Sequence, residues 1–553
     1  MTNIIKEDKS VNADNFAFLL AQSNYNLSSV FRSRNHNETI ADTPMTSSDF
    51  TNDTSKNLST LEETQSRNHQ YQFRILGAST NQIADLKDAE INVVASVFSG
   101  KAGSTMTESD APRLGNQALL SLFSSIELYI DSTLIERIDY PGMSANADYA
   151  LRYPHSKEAE KVLESNGFIS GLEDDVALEV IGEVVTIQRS GIYNFHNNSV
   201  MWSKIGSSAG NWLRGLITQH IRLSDIFPCI ATLPPIFNHS VTVNFTRCSS
   251  NDIIASPSIN GQHTRLNAFI DFKIVQDCYI ITDELKKAAM SYYSKPIETI
   301  YTKCKQIPVG FVSEPQKNNT MTFNVCVDSA YKNKLAVFAI PRTTNFNNQA
   351  YSETKKLDTQ KYYVDTLGSQ YDVAQSPSNS YTHGGLSSLT IYTMNGVKLF
   401  GFDMSRDGVI KGKIDNYDKL AMLDVKTDDD DCLIYNYQEV YQQYLKAREQ
   451  FGQIAEEGLD YITFMKEYCM YCVDLSPFTI NAGENLRVEM TFGDWLDTYN
   501  PYYARNDKSA TYMSKQLFTL FYSDKILRLL PNQNVELADL FQARTEADET
   551  NEI

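Results

Sequence analysis

Nowhere in this chain does an apolar run approach the roughly 20 residues that crossing a bilayer takes. Near Met1, Asn, Asp and Ser break every short apolar stretch, so the charged-then-apolar pattern of a secretory leader is missing as well. These absences read as a soluble protein made in the cytosol, with no membrane span. Clusters of Lys and Arg are also missing: 49 basic against 68 acidic residues leave a formal charge of −19. Phosphate recognition needs a cationic face, so direct, specific nucleic-acid binding is not expected.

Cysteine is sparse and scattered, as reduced thiols of a cytosolic protein are. Cys469 and Cys472 alone stand at Cys-x-x-Cys spacing. They lie inside the apolar run 468–473, with no Gly or Pro between them and no second Cys/His pair nearby in sequence. They read as core or strand cysteines; a redox pair or half a zinc site is the alternative.

Catalytic signatures are lacking too. His196, His220, His239 and His263 fall in the first half, but no His-x-x-x-His or His-Glu-x-x-His spacing occurs. The nucleophile elbow and the glycine-rich phosphate loops are absent, and Gly206-Ser-Ser-Ala-Gly210 reads as a flexible turn. Four adjacent carboxylates, Asp428 to Asp431, repel one another and point in different directions. A calcium loop alternates its ligands around a glycine, so this cluster reads as solvated, with structural calcium left open. No catalytic, cofactor-binding or metal-ligating residue is nominated, and no cofactor is expected.

What the chain does have is β texture. Its 31 Tyr and 27 Phe suit pleated, half-buried surfaces and protein interfaces. At 553 residues it outgrows a single core, so two or more domains are expected. Alternating or short apolar segments read as strands at 71–76, 91–98, 176–185, 212–223, 241–247 and 266–280, and again at 299–306, 321–327, 335–340, 389–394, 398–402, 485–492 and 516–530. A hairpin spans 126–138 around Asp131-Ser-Thr133 and is closed by Tyr140-Pro-Gly142; 156–166 reads as a short helix. The one long helix is 435–458, where Val440, Tyr444, Ala447, Phe451 and Ile454 recur at threes and fours. Composition marks 1–68 as a polar N-terminal arm, either a clamp that orders when subunits meet or a frayed terminus. It marks 532–553 as a flexible acidic tail. Between them lie two strand-rich blocks, 69–290 and 291–531, the second carrying a long polar loop at 342–385 that reads as an elaborated surface loop.

Several segments carry a resemblance. They are Ile83-Ala-Asp-Leu-Lys-Asp-Ala-Glu-Ile-Asn-Val-Val-Ala-Ser-Val97, Asn116-Gln-Ala-Leu-Leu-Ser-Leu-Phe-Ser-Ser-Ile-Glu-Leu-Tyr-Ile-Asp131 and Arg214-Gly-Leu-Ile-Thr-Gln-His-Ile-Arg-Leu-Ser-Asp-Ile-Phe227. The 435–458 helix, Cys472-Val-Asp-Leu-Ser-Pro477 and Gly483-Glu-Asn-Leu-Arg-Val-Glu489 follow. In this order they resemble the double jelly-roll major capsid proteins of polintons, adintoviruses, virophages and similar small DNA viruses of eukaryotes. The long arm before Tyr71, Pro228 and Pro234-Pro235 depart from that pattern. The resemblance implies an all-β fold of two consecutive jelly-roll sandwiches. It also implies a non-enzymatic subunit that trimerises into pseudo-hexagonal capsomers of an icosahedral virion, beside neighbouring capsomers, penton and minor capsid proteins. Two other readings stay open: a lectin-like, carbohydrate-binding attachment protein, and an enzyme on a jelly-roll scaffold.

Overall fold

In the computed structural model of the chain, the described residues are chiefly 30–36, 70–77, 82–101, 119–156, 212–247, 262–281, 290–312, 320–326, 333–339, 386–404, 438–460, 470–478, 485–492, 515–531 and 534–539, with short segments between. Eight strands make a first set: β1 (Val30–His36), β2 (Gln70–Gly77), β3 (Gln82–Lys101), β4 (Phe123–Ile130), β5 (Thr133–Asp139), β6 (Trp212–Arg222), β7 (His239–Arg247) and β8 (Gln262–Ile281). A second set follows: β9 (Ile297–Val312), β10 (Thr320–Cys326), β11 (Asn333–Ala339), β12 (Leu386–Thr393), β13 (Lys398–Asp403), β14 (Met470–Asp474), β15 (Asn485–Phe492) and β16 (Lys515–Leu529).

Pairing is antiparallel, and its order decides the architecture. The first set forms one sheet β1-β8-β3-β6 and another β2-β7-β4-β5; the second forms β9-β16-β11-β14 and β10-β15-β12-β13. Counted from the first strand of each set, both run 1-8-3-6 against 2-7-4-5. First and last strands are neighbours, and the middle hairpin closes the opposite sheet, as in an eight-stranded roll of two Greek keys. The chain is a double jelly roll. Val200–Lys204 extends the first sheet beyond β6, and Val535–Asp539 pairs with the last five residues of β16.

Alternation explains most of these strands. Along β7 buried and half-buried residues alternate without a break, and in β15 Leu486, Val488 and Met490 are buried while Arg487 and Glu489 lie at the surface side. In the first sandwich an aromatic knot joins the two sheets. Tyr71 and Phe73 on β2, Phe123 on β4 and Phe245 on β7 meet Phe269 and Phe272 on β8. The Phe73 and Phe272 rings are 4.9 Å apart at 73°. Each such ring stabilises by about 1.5–3 kcal/mol through burial, and its edge-to-face pairing adds about 0.5–1.5 kcal/mol. Apolar contacts run on without interruption into the second sandwich through Tyr149, Leu151, Val440, Tyr444, Phe464 and Tyr468.

The β4–β5 hairpin turns on Asp131 and Ser132, both left-handed at φ 48° and 70°, the geometry that lets a two-residue turn follow the twist of its strands. The long helix, Gln438–Glu449, ends earlier than the 435–458 read from its apolar spacing. Gly452 takes φ 74°, its amide and that of Gln453 bond back to Glu449 and Arg448, and Ile454 is left exposed.

Two segments read as lying outside the folded blocks contain paired strands. β1 falls in the polar stretch 1–68, where it runs along the end of β8 from Val30 opposite Ile281 to His36 opposite Val275. Val535–Asp539 falls in 532–553. β1 pairs through its main chain, which needs no apolar pattern; in the second segment Val535 also enters the core and Leu537 packs against it. The loop 342–385 contains two small ladders, Arg342–Thr343 with Val364–Thr366 and Tyr371–Val373 with Tyr381–His383. The helix expected at 156–166 lies outside the described residues apart from Ser156.

Candidate functional site at the seam between the sandwiches

Helix α1 (Pro141–Arg152) stands where the sequence suggested a closing turn at Tyr140-Pro-Gly142. Tyr140 is left-handed at φ 48°, and Pro141 opens the helix at its first position, where a missing N–H costs nothing. The same use of proline accounts for Pro228, which opens α3 (Pro228–Thr232) directly after α2 (Leu223–Ile226). Every residue of α1 from Pro141 to Leu151 is buried. It packs against β4, β5 and α2 of the first sandwich, and against α4 (Gln438–Glu449) from the second.

Polar groups concentrate along this seam. The Asp148 carboxylate, 2% exposed, accepts a hydrogen bond from the Tyr522 hydroxyl of β16 at 3.1 Å; Arg152, one turn on, approaches it to 3.6 Å. Beside them the Tyr153 hydroxyl donates to Asp225 of α2. At the end of α1, Arg448 is wholly buried. Its Nη1 donates to the carbonyls of Ala150 at 2.6 Å and Tyr153 at 2.9 Å, and its Nη2 to that of Glu457 at 3.0 Å. Tyr444 adds a bond to Ala150 at 2.9 Å, and the amide of His155 reaches the Glu457 carbonyl at 2.9 Å. Carbonyl oxygens thus take a guanidinium exactly where a helix leaves them unpaired and its dipole is negative.

Burial sets the proton affinities here. It pushes the Asp148 carboxyl up to about 6, against the pull of Arg152 and the Tyr522 hydroxyl. Burial likewise raises Asp225, with Tyr153 and Arg222 opposing. His155 is driven down to about 3, first by burial and then by the Arg448 charge. Tyr153 and Tyr444 are raised, both chiefly by burial. The seam thus holds two buried carboxyls whose proton affinities burial raises, each met by a tyrosine hydroxyl.

The residues weighed from sequence are not brought together. His220 on β6 and His239 on β7 belong to opposite sheets. His220 Nδ1 lies 2.6 Å from the Asn92 amide oxygen, and His239 meets Asp131. Cys472 is buried in β14 opposite Val337. His196, Cys469, the 206–210 glycine turn and Asp428 to Asp431 lie outside the described residues, as does the His263 side chain. Among the described residues no group of three or more His, Cys, Asp and Glu is placed to hold a metal ion, and no helix is long and apolar enough to cross a membrane.

No protein-family model matches the chain. No curated protein matches it either. Among solved structures it is similar to a chain of the Sputnik virophage particle seen by cryo-EM, with 11% identity, 92% of this chain and 88% of that one covered, and a TM-score of 0.48. The mavirus major capsid protein is similar at 10% identity, with 91% of each chain covered and a TM-score of 0.45. A chain of the PBCV-1 virus capsid is similar at 10% identity, covering 93% of this chain and 98% of that one, with a TM-score of 0.44. Its structural neighbours are viral capsid proteins.

Sequence reasoning passed over the seam altogether. Asp148 and Tyr522 are 374 residues apart, and Arg448 and Ala150 are 298 apart. The one available signal was the burial-prone polar mixture of α1 itself, Ser144, Asn146 and Asp148 set among alanines.

Proposed function

We propose that this chain is a major capsid protein, trimerising into pseudo-hexagonal capsomers that tile an icosahedral viral shell, with a structural rather than catalytic role. The observation that carries the reading is the repeated strand order, 1-8-3-6 against 2-7-4-5, in two sandwiches sharing one continuous core. Such a body has two similar lobes. Three copies around a threefold axis present six similar lobes, which pack as a hexagon, and closing that ring requires heterologous contacts between copies. The sequence phrases that resemble capsid proteins fall on β3, β4, β6, α4, β14 and β15, the framework of both rolls. In this reading the 342–385 excursion is the elaborated loop of the outer surface. Neighbouring capsomers, penton and minor capsid proteins are the partners, and the virion is the location.

Size-exclusion chromatography with mass detection tests it. The expected result is a stable particle of about three times the 62.5 kDa chain mass, with a trimer contact burying on the order of 2,000 Å² or more, and negative-stain images of hexagonal capsomers. Monomers at every concentration, showing no capsomers or shells, would overturn it.

A further inference from the structure

We infer that the outer edge of β8 between Ala268 and Ile274 is a strand-acceptor site, and that the strand it takes is residues 37–43 of the same chain. The inference concerns strand pairing within one chain and stands whether or not that chain builds a shell.

The two rolls differ at one place. In the second, the first strand β9 runs along the whole of the last, β16, from Ile297 opposite Leu529 to Val312 opposite Lys515. Residues 313–319 then suffice to reach β10. In the first, β1 accompanies β8 only from Ile281 to Val275. β8 extends back to Gln262 with β3 on one side and, among the described residues, no strand on the other. A bare edge is a row of main-chain donors and acceptors, a template for another strand. Ile270, on this stretch, is 49% exposed.

Chain direction names the occupant. β1 and β8 are antiparallel, and β1 stops at His36 opposite Val275, so Asn37 leaves at the level of Ile274. At β2 the Tyr71 ring lies 5.2 Å from that of Phe272 and 5.6 Å from that of Phe269. Between β1 and β2 the chain therefore has to pass from the level of Val275 to that of Phe269, the same stretch over which the edge of β8 is bare. Continuing the register of β1 sets Glu38 opposite Lys273, Ala41 opposite Ile270 and Thr43 opposite Ala268. A carboxylate then stands across from an ammonium, as Arg34 already stands across from Asp277. Thr39, Ile40 and Thr43 are β-branched and suit a strand. Pro44 follows, with no N–H to give a ladder, and sets the limit of the site. A strand from a second copy has the same main-chain groups to offer, but it bears the entropy of association. Asn37 is already tethered at the end of the existing pair.

Amide hydrogen exchange on the full chain tests it. In wild type, the amides of 268–274 that point away from β3 should exchange at least tenfold more slowly than their counterparts at 262–266. Thr39→Pro with Ile40→Pro removes one amide that faces β8 whatever the phase of the ladder, so protection at 268–274 should fall several-fold. Thr51→Pro with Asn52→Pro, beyond the segment, should leave that protection as it was. A short bis-maleimide added to Glu38→Cys with Lys273→Cys should link the two positions within a single chain, read as a linked peptide pair at the mass of one copy. Fast exchange at 268–274 in wild type, protection indifferent to the prolines at 39 and 40, or a link that joins two copies or does not form would overturn the inference.

Discussion

Arg448 spends its charge on carbonyls. A buried guanidinium usually meets a carboxylate; this one closes the end of α1 with two main-chain bonds, gives a third to Glu457, and lies 5.9 Å from the Tyr444 ring. Planar, forked donors suit that task, and an ammonium on a flexible stem does not. Arg448→Met should cost about 3 kcal/mol or more, because the carbonyls of Ala150 and Tyr153 lose charge-assisted bonds. Arg448→Lys should recover less than half, as urea midpoints would report. His155 supplies an independent check at the same place. With the Arg448 charge gone, its imidazole should titrate above its present value of about 3, followed by NMR. None of this was legible beforehand, since proximity between residue 150 and residue 448 is a product of the fold and leaves no local trace in sequence.

Among the elements, strands were legible from alternation or from short apolar runs, and a helix buried all round was not. Residues 485–492 were read to the residue, and the β4–β5 hairpin was placed around its true turn, because half-buried strands alternate. Helix α1 was missed for the opposite reason: buried on all sides, it has no apolar stripe, and Pro141, Gly142 and Ser144 argue locally for a turn. β1 was missed because Val30-Phe-Arg-Ser-Arg-Asn-His36 offers main-chain groups to β8 without an alternating pattern. The hairpin also offers a quantitative check. Asp131 accepts from the amide of Ser240 at 2.8 Å and engages His239, pinning the turn to the start of β7. Asp131→Ala should therefore cost about 2 kcal/mol. Ser132→Gly relieves a left-handed serine and should be neutral or stabilising by up to about 1 kcal/mol, both read from denaturant curves.

For the molecule as a whole, the legible quantities were class and repetition: two β blocks whose separate strands could be read one by one. Their shared order could not, because 1-8-3-6 is a statement about which strands meet. Charge also acts at this scale. Copies of a chain carrying −19 repel one another at long range, and added salt shortens that reach to about 8 Å at physiological ionic strength. Association of the purified subunits proposed above should accordingly speed up as salt is raised; light scattering that fell with added salt would contradict the subunit picture.

The spacing of partners along the chain sets a timetable for synthesis. Val30 cannot find Ile281 until the ribosome has passed that point, and α1 waits far longer for Arg448 and Tyr522. At roughly 5–20 residues per second, the helix spends tens of seconds with a bare end and an apolar surface awaiting its cover. Any chain cut short before β16 would leave α1 without part of its cover and prone to clump, so residues made late guard a helix folded early.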